Sequence, residues 1–417
     1  MLTKWQWMMR QLSRRLWVRA TLLGALGILT AALAALVENV LPWEVSGQIG
    51  SAAVGDLLGI IATSMLAVTT FSLSVMTSAY SAATSSATPR ATKLLMQDQI
   101  TQNVLATFIG SFLFALVGII LLKTDLYGDR GRVVLFVATI GILVLVVASL
   151  LTWIDQLAQL GRVGETTTRV EDATKEAIEA RLAAPYFRAR PLDPDSDAAK
   201  GANALMASVT GYVQHIDIER LSEIAEDSEV QIYLWVLPGT FVHPARRLVG
   251  ISDYGQVDGA LSEDIRACFD IGPERSFDQD PRFGLAVLSE IAIRALSPAV
   301  NDPGTAIDVI GRLTRLLVIW ADASQRSDEH DIAFPRLHVP ALETRDLFDD
   351  AFNLIARDGA HMIEVQLRLQ KALGALGQLG DEDFRTCART QAQLALARAE
   401  ESMVSAQDKT RLRDAAR

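Results

Sequence analysis

Residues 57–89 read LLGIIATSMLAVTTFSLSVMTSAYSAATSSATP, a run of 33 residues without a charged side chain. A helix needs about 20 apolar residues to cross the roughly 30 Å hydrocarbon core of a bilayer, so this run predicts a membrane-spanning helix. The run also contains 13 serines and threonines. It therefore predicts that the chain enters a membrane and that one span carries an unusual number of hydroxyl groups.

The hydroxyl groups follow one face of this predicted helix. Their spacing alternates between four and three residues, which places them together at 3.6 residues per turn. The stripe consists of Thr63, Ala67, Thr70, Ser74, Thr77, Ser81, Thr84 and Thr88. Such side chains either let helices pack closely or line a water-filled path in an oligomer, and both interpretations stay open. For the second, the predicted pore-lining residues are Thr63, Thr70, Ser74, Thr77, Ser81 and Thr84.

Three further uncharged stretches surround this run, at residues 20–37, 100–122 and 133–154. Backbone groups in lipid must be hydrogen-bonded internally, so each stretch is expected to be a helix. Together the four stretches predict a four-helix transmembrane domain over residues 1–155. No charged residue lies in the middle of any predicted span, which argues against a proton relay or a charge-driven pump.

Basic residues lie mainly on one side of the predicted spans. Five precede the first span and two lie between the second and the third, whereas the other two short loops carry none and three. The majority of basic residues marks the inner side, so the N-terminus is expected inside. Four spans then return the chain to the cytoplasm, which places both termini there.

Charge divides the chain near residue 155. The first 155 residues carry a net charge of +3. The remaining residues carry −13, which gives the chain its total of −10. A C-terminal part this acidic is a poor partner for nucleic acid. The two cysteines, Cys268 and Cys387, exclude a disulfide-stabilised scaffold and are typical of a reducing compartment.

The C-terminal part predicts a helical stalk and linker over 156–200, a small β-rich domain over 201–256 and a mainly helical domain over 257–417. The expected strands lie near 209–216 and 230–236, in two short segments after Pro238–Gly239, and within 332–342. The expected helices lie near 218–225 and 261–271, on both sides of SPAVNDP (297–303), and in three or four segments after 343. The fold class is thus an α-helical membrane protein with four transmembrane helices, followed by a cytoplasmic α+β domain with a small β unit and a helical bundle.

Two polar segments, 279–284 and 294–306, contain the candidate binding residues. These are Asp280, Arg282, Arg294, Asn301, Asp302 and Thr305. Arginines near a helix N-terminus are typical of anion sites, and clustered carboxylate and amide oxygens are typical of hard-cation sites. The alternative is structural, because Asp302 followed by Pro303 is a common helix start and aspartate–arginine pairs often fix a fold. Both interpretations stay open.

Sequence signals for enzymatic chemistry are missing. The chain has no P-loop, zinc-protease, CxxC or nucleophile-elbow pattern, and no nucleophile–base spacing that supports catalysis. His215 and His243 have no cysteine or glutamate at ligand spacing, so neither is predicted to bind a metal. We therefore expect no enzyme, no metal site and no cofactor.

Several motifs carry a family resemblance. GYVQHID (211–217), PGTFV (238–242), QDPRFG (279–284) and RALSPAVNDPGTA (294–306) follow one another in an order that resembles the bacterial domain of unknown function 2254 family. The Ser/Thr-rich span that ends in Pro89–Arg90 fits the same pattern. The resemblance covers nearly the whole chain and implies a bacterial membrane protein, but it brings no activity with it.

The sequence favours a channel-like homo-oligomer in the bacterial inner (plasma) membrane, with the second helix lining the path and the cytoplasmic domain gating it. Its partners would be the lipid bilayer and further copies of the chain. The alternative is a non-conducting sensor or scaffold that binds a small ligand, an ion or a partner protein at the QDP and NDP segments.

Overall fold

The computed structural model divides the chain into two compact units, which we name the N-terminal and C-terminal units. The N-terminal unit lies within residues 8–85 and 92–165, and the C-terminal unit includes residues 86–91 and 166 onward. The structure describes Met9 and residues 16–36, 51–96, 98–124, 129–159, 161–252, 259–324 and 331–416.

The described part of the N-terminal unit is helical. Its helices are α1 (Leu16–Leu36), α2 (Ser51–Ser86), α3 (Pro89–Met96, which begins in the 86–91 segment), α4 (Gln99–Lys123) and α5 (Asp129–Gln159). Three of them, α2, α4 and α5, contain segments long and apolar enough to cross a membrane. The apolar part of α1 is shorter, at Trp17–Leu33. Three predicted spans are thus confirmed as helices of spanning length, and the fourth remains a prediction.

Helix α2 is longer than the uncharged run that predicted it. It begins at Ser51 and has 36 residues, which corresponds to about 54 Å. It ends at Ser86 because Pro89 disfavours helical backbone at the preceding residue, Thr88. Thr88, predicted as the last member of the hydroxyl stripe, therefore lies beyond the helix. The loop expected after this span contains the short helix α3 instead.

Close backbone packing and one polar contact organise the N-terminal unit. A Cβ atom added to Gly27 of α1 would lie 2.7 Å from the carbonyl oxygen of Gly110 on α4, so these helices approach each other at glycine. Asp98 caps α4 by accepting a hydrogen bond from the Thr101 N–H at 3.0 Å. It also accepts one from Gln156 Nε2 of α5 at 2.8 Å, which ties the start of α4 to α5.

The β part of the C-terminal unit consists of two sheets. The strands are β1 (Ala189–Pro191), β2 (Asn203–Met206), β3 (Gly211–Ile216), β4 (Ile232–Leu234), β5 (Phe241–Val242), β6 (Arg247–Ile251), β7 (Phe269–Gly272) and β8 (Phe334–Val339). The larger sheet has the order β1-β8-β4-β6-β2 and the smaller one β5-β3-β7. Strand β8 runs parallel to β1 and β4, whereas β6 is antiparallel to β2 and β4. Buried aliphatic residues of β4, β6 and β8 belong to one core.

Helices form the rest of the C-terminal unit. They are α6 (Val163–Ala183), α7 (Asp197–Gly201), α8 (Ile218–Asp227), α9 (Gly259–Ala267), α10 (Pro281–Ala295), α11 (Pro303–Ser324), α12 (Thr344–Asp358), α13 (Ile363–Leu376), α14 (Glu382–Ser402) and α15 (Ala406–Ala415). The helix predicted after the last span is present as α6. The two apolar helices broken at 297–302 are present as α10 and α11, and four helices follow residue 343.

One element was predicted wrongly, and several short ones were missed, among them α3, α7, β1 and β2. The helix expected at 261–271 ends at Ala267, and residues 269–272 form β7, because they pair with β3. Strands β1 and β2 lie in segments predicted as linker and as the unassigned start of the β-rich domain. Strands β7 and β8 complete the two sheets although both lie outside 201–256.

Candidate functional site

The hydroxyl stripe lies on the outward face of α2. All six predicted pore-lining residues are exposed on the chain. Ser72 lies nine residues from both Thr63 and Ser81, which is two and a half helical turns, and it is fully buried. Leu58, Ile61 and Met65 are buried with it on the opposite side. The stripe therefore takes no part in packing among the described helices of its own chain.

Four threonines of the stripe donate their hydroxyl protons to their own helix. Thr63, Thr70, Thr77 and Thr84, seven residues apart, bond to the carbonyl oxygens four residues earlier at 2.7–2.8 Å. A hydroxyl has one proton and two lone pairs, so each oxygen can still accept a hydrogen bond from outside. The stripe is therefore a row of acceptor oxygens on a helix surface.

Large apolar side chains flank the stripe. Ile60, Leu66, Phe71 and Leu73 are all exposed, with Phe71 at 61%. At 100° per residue they lie to either side of the row of hydroxyls. The row from Thr63 to Thr84 is about 32 Å long, close to the thickness of the hydrocarbon core. Helix α2 thus presents a narrow polar strip between two apolar margins, and the strip is as long as a membrane is thick.

The QDP segment joins several elements of the C-terminal unit around Asp280. This carboxylate is 2% exposed and pairs with Arg275 through two bonds, at 2.7 and 2.9 Å. It also caps α10 by accepting from the Phe283 N–H at 3.1 Å. Burial raises the pKa of Asp280, while the Arg275 guanidinium and the Phe283 N–H oppose that rise. Asp280 is therefore held by internal donors.

Two other family motifs meet the same segment. Gln279 Oε1 accepts a hydrogen bond from the Ile216 N–H at the end of β3, at 3.1 Å. Gly239, with φ of +91°, lies so close to Asp280 that an added Cβ would come within 2.7 Å of its Cγ. The motifs GYVQHID, PGTFV and QDPRFG are thus brought together by the fold.

Arg181 of α6 is a buried cation in this region. Its guanidinium lies 4.0 Å from the centroid of the Phe187 ring and makes a long hydrogen bond of 3.5 Å to the Gln279 carbonyl. Burial lowers the pKa of Arg181 to about 10, and the charge of Asp280 acts in the opposite direction. Asp280 thus supplies the negative charge that an external anion would otherwise bring to this cation.

Arg282 connects α10 to α12. It forms ion pairs with Asp346 and Asp350, and the bond from its Nε to Asp350 is 2.7 Å. Although burial alone would lower the pKa of Arg282, the two carboxylates raise it overall. The side chain is therefore engaged in a contact between helices.

The NDP segment forms the start of α11. Asp302 accepts hydrogen bonds from the Thr305 N–H at 3.1 Å and from the Thr305 hydroxyl at 2.6 Å. These bonds lower the pKa of Asp302, which is exposed. Asn301 is also exposed and has left-handed backbone, with φ of 50°. Arg294 lies half-buried in the last turn of α10.

The structure separates the candidate binding residues into two groups. Asp280 and Arg282 lie at the first turn of α10, whereas Arg294 lies in its last turn and Asn301, Asp302 and Thr305 follow the helix. Helix α10 has 15 residues, so its two ends are about 22 Å apart. They do not form one site, and the Asp280 group is occupied by structural pairs.

His215 and His243, the histidines considered as metal ligands, belong to no metal-binding group among the described residues. His215 is buried on β3 with Nδ1 3.8 Å from Asp270, and His243 Nδ1 accepts a hydrogen bond from the Ala245 N–H at 3.3 Å. Within the described ranges, no group of three or more His, Cys, Asp or Glu side chains is arranged to hold a metal ion.

Sequence reasoning missed the partners of the motif residues. Arg181, Asp346 and Asp350 lie far along the chain from residues 279–284, so no local spacing marks them. It also missed Thr88 and Arg90 as partners of Glu290, 202 and 200 residues away. For Gly239 the sequence did offer a signal, because a Pro-Gly turn predicts left-handed backbone at the glycine.

The helices of spanning length and the α+β unit define a membrane protein with a large non-membrane part. The chain matches the family described as predicted membrane protein (DUF2254) over residues 13–375, and it belongs to that family. The resemblance predicted from the motifs is confirmed.

Relatives of this chain occur in mycobacteria. Uncharacterized proteins of Mycobacterium bovis and of two strains of Mycobacterium tuberculosis are each 29% identical to it over 286 residues. The matched segment covers 66% of this chain and 54% of each relative, so it spans about half of their length. No solved structure matches the chain.

Proposed function

We propose that this protein is a channel-like homo-oligomer of the bacterial inner membrane, in which α2 of each copy lines a shared path and the C-terminal unit gates it. One observation carries the proposal. The polar face of α2 points away from the other described helices of the N-terminal unit, while the opposite face is buried. A polar strip directed into lipid has no apparent role in a single copy, whereas several copies could turn these strips toward one another.

The dimensions of the strip support a path across the membrane. A contact that only holds two helices together needs one or two turns of small residues, as in glycine-based helix pairs. The strip continues from Thr63 to Thr84, about six turns or 32 Å. Acceptor oxygens along that length suit water and cations better than anions, because a lone pair attracts a proton or a positive charge.

The proposal includes four spans with both termini in the cytoplasm. Helix α1 has 21 residues, about 32 Å, so its backbone is long enough to cross even though its apolar part is shorter. The basic residues of the chain lie mainly on the side we assign to the cytoplasm. We propose no enzymatic role, no cofactor and no nucleic-acid partner.

A ligand-binding sensor is less well supported. The alternative places a ligand at the QDP and NDP segments, but Asp280 and Arg282 are already bound to Arg275, Asp346 and Asp350. Among the candidate binding residues, Asn301 and Asp302 are exposed and remain accessible to a partner.

Flux through liposomes that contain the purified protein tests the channel. We expect Ser74→Trp and Thr77→Trp to reduce the flux of water or small cations at least fivefold, because an indole would block a narrow path. Phe71→Trp is the matched control: it places the same side chain on the apolar margin and should leave the flux unchanged. Crosslinking in native membranes should show more than one copy.

Two results would contradict the proposal. One is a wild-type protein that conducts neither water nor ions across a range of voltage, tension and pH. The other is equal flux in all three tryptophan variants when each one folds and assembles with the native size.

A further inference from the structure

The junction of α2 and α3 belongs to the C-terminal unit. Residues 86–91 run from the last residue of α2 into the first turn of α3, yet they cluster with residues 166 onward. Ala87 and Ala91 are fully buried and Thr88 is 5% exposed. Small side chains that are buried to this extent indicate a fixed attachment. We name residues 86–91 the connector segment.

Glu290 of α10 binds the connector segment through both of its carboxylate oxygens. Oε1 accepts a hydrogen bond from Arg90 Nη1 at 2.6 Å, which is also an ion pair. Oε2 accepts one from the Thr88 hydroxyl at 3.1 Å. The Glu290 side chain is 25% exposed. A carboxylate with two donors from one short segment fixes the position of that segment more tightly than a single ion pair would.

Helix α10 is itself held by several parts of the C-terminal unit. Asp280 caps its first turn, and Arg282 ties that turn to α12. One turn later a Cβ added to Gly284 would come within 2.7 Å of the Cβ of Thr174, so α10 packs closely against the Thr174 side chain of α6. A helix fixed in this way moves together with its neighbours, and any shift of α10 displaces the residues bound to Glu290.

We infer that the contact of Glu290 with Thr88 and Arg90 is the regulatory link through which the C-terminal unit controls α2. The inference rests on the proposed channel. A change that moves α10 pulls or releases the connector segment. Because that segment begins at Ser86, the last residue of α2, the end of the pore-lining helix moves with it. Thr88 and Arg90 act as positioning residues and lie outside the conducting strip.

The strength of the Glu290–Arg90 ion pair limits the change in flux that its removal can cause. A partly exposed ion pair contributes up to about fivefold in an equilibrium constant, so removal of the Glu290 charge should change the flux by roughly two- to fivefold. A static anchor predicts something different, namely a loss of stability with no change in the flux per folded oligomer.

The test uses two readouts on the full-length protein in liposomes. The first is flux. The second is the mobility of a spin label attached at Ser78→Cys, in a background with Cys268→Ala and Cys387→Ala. Ser78 is exposed on α2 and lies outside the hydroxyl stripe. Glu290→Gln keeps the shape of the side chain, and Thr88→Val removes only the hydroxyl. Both variants should change the flux and the label mobility in the same direction.

Two further variants provide a charge-reversed pair and a matched control. Arg90→Glu combined with Glu290→Arg restores the ion pair in reverse, so it should return both readouts toward wild type when each single reversal shifts them. Glu400→Gln is the matched control, because Glu400 pairs with Arg413 in the C-terminal helices. That variant should leave both readouts unchanged.

The outcomes separate the two proposals. Unchanged flux and label mobility in Glu290→Gln and Thr88→Val, with folding intact, overturn the link and leave the channel standing. A wild-type protein without flux overturns the channel, and the label mobility alone then decides whether Glu290 controls α2. A reversed pair that fails to restore either readout also counts against the link.

Discussion

Gly239 and Asp280 lie in direct contact, the glycine at a turn between β4 and β5 and the aspartate at the first turn of α10. The Gly239 backbone has φ of +91°, and a Cβ at this position would overlap the Asp280 carboxylate. The same carboxylate binds Arg275 and caps α10. A turn of the β part thus fits against the charged start of a helix, and only glycine leaves room for it.

Gly239→Ala should therefore destabilise the protein. The left-handed backbone and the overlap with Asp280 both oppose a side chain, and strain of this kind costs roughly 1–3 kcal/mol. The free energy of unfolding, measured with denaturant in detergent, checks the value. Gly311→Ala is the control, since a Cβ at Gly311 meets nothing within 4 Å in the middle of α11. It should be neutral or stabilising by up to about 1 kcal/mol, and an equal loss in both variants would contradict the argument.

Asp280→Asn tests whether this residue is structural. The substitution leaves Arg275 and the buried Arg181 without their negative charge, and loss of a charged hydrogen-bonded partner costs about 1.5–3 kcal/mol. Asp346→Asn is the comparison, because Arg282 keeps Asp350 as a second partner. Its cost should stay below about 1 kcal/mol. If Asp280→Asn unfolded at the wild-type denaturant concentration, the structural interpretation would fail.

Asp302 should make stability depend on pH. Its pKa is lowered in the folded protein by bonds from Thr305, so its contribution is present above the unfolded pKa and is lost as the pH falls through the folded pKa. Asp302→Ala should cost about 1 kcal/mol at pH 7, as expected for a helix cap. As the pH falls below 3.8, the ordinary pKa of an aspartate, the difference in Tm between variant and wild type should shrink. A difference that stays constant from pH 7 to well below 3.8 would argue against ionisation as the cause.

Local patterns predicted much of this fold. The face of α2 followed from spacing at 3.6 residues per turn, because a helix is defined by neighbours in sequence. Four helices follow residue 343, as the sequence predicted with three or four. Two of them end at a glycine, at Gly359 and Gly377, and glycine favours termination. The cap at Asp302 followed from the order of Asp and Pro.

Contacts between distant segments could not be predicted in this way. Residues 269–272 form a strand because they pair with β3, more than 50 residues earlier, although their sequence alone also suits a helix. Strand β1 is defined by its pairing with β8, and Thr88 meets Glu290 across 202 residues. The hydroxyl stripe was found from its spacing, but its outward orientation depends on which helices pack on the opposite face.

The Cys387 thiol should react slowly. Burial and nearby carboxylates, chiefly Asp383, raise its pKa from 9.0 to about 11. Since the thiolate is the reactive form, alkylation at pH 7.5 should be about 100-fold slower than for a thiol of ordinary pKa. The rate constant, measured by mass spectrometry in the native protein and in a Cys387-containing peptide, checks this. Equal rates for the two would show that the thiol is not shielded.

Replacement of Thr70 by valine tests whether flux depends on the hydroxyl oxygens of the path or only on its width. Valine keeps the branched shape but removes the outward oxygen, so water and cations would lose an acceptor while the width of the path stays the same. We expect lower flux in Thr70→Val, with a further drop in Thr70→Val/Thr77→Val, and little change in stability because only a bond to the helix itself is lost. Thr139→Val is the matched control: the Thr139 hydroxyl makes the same kind of bond, to the Leu135 carbonyl at 2.7 Å, but is buried on α5. If Thr139→Val reduced the flux as much as Thr70→Val, the effect would lie in helix geometry, and the acceptor oxygens of α2 would have no role in conduction.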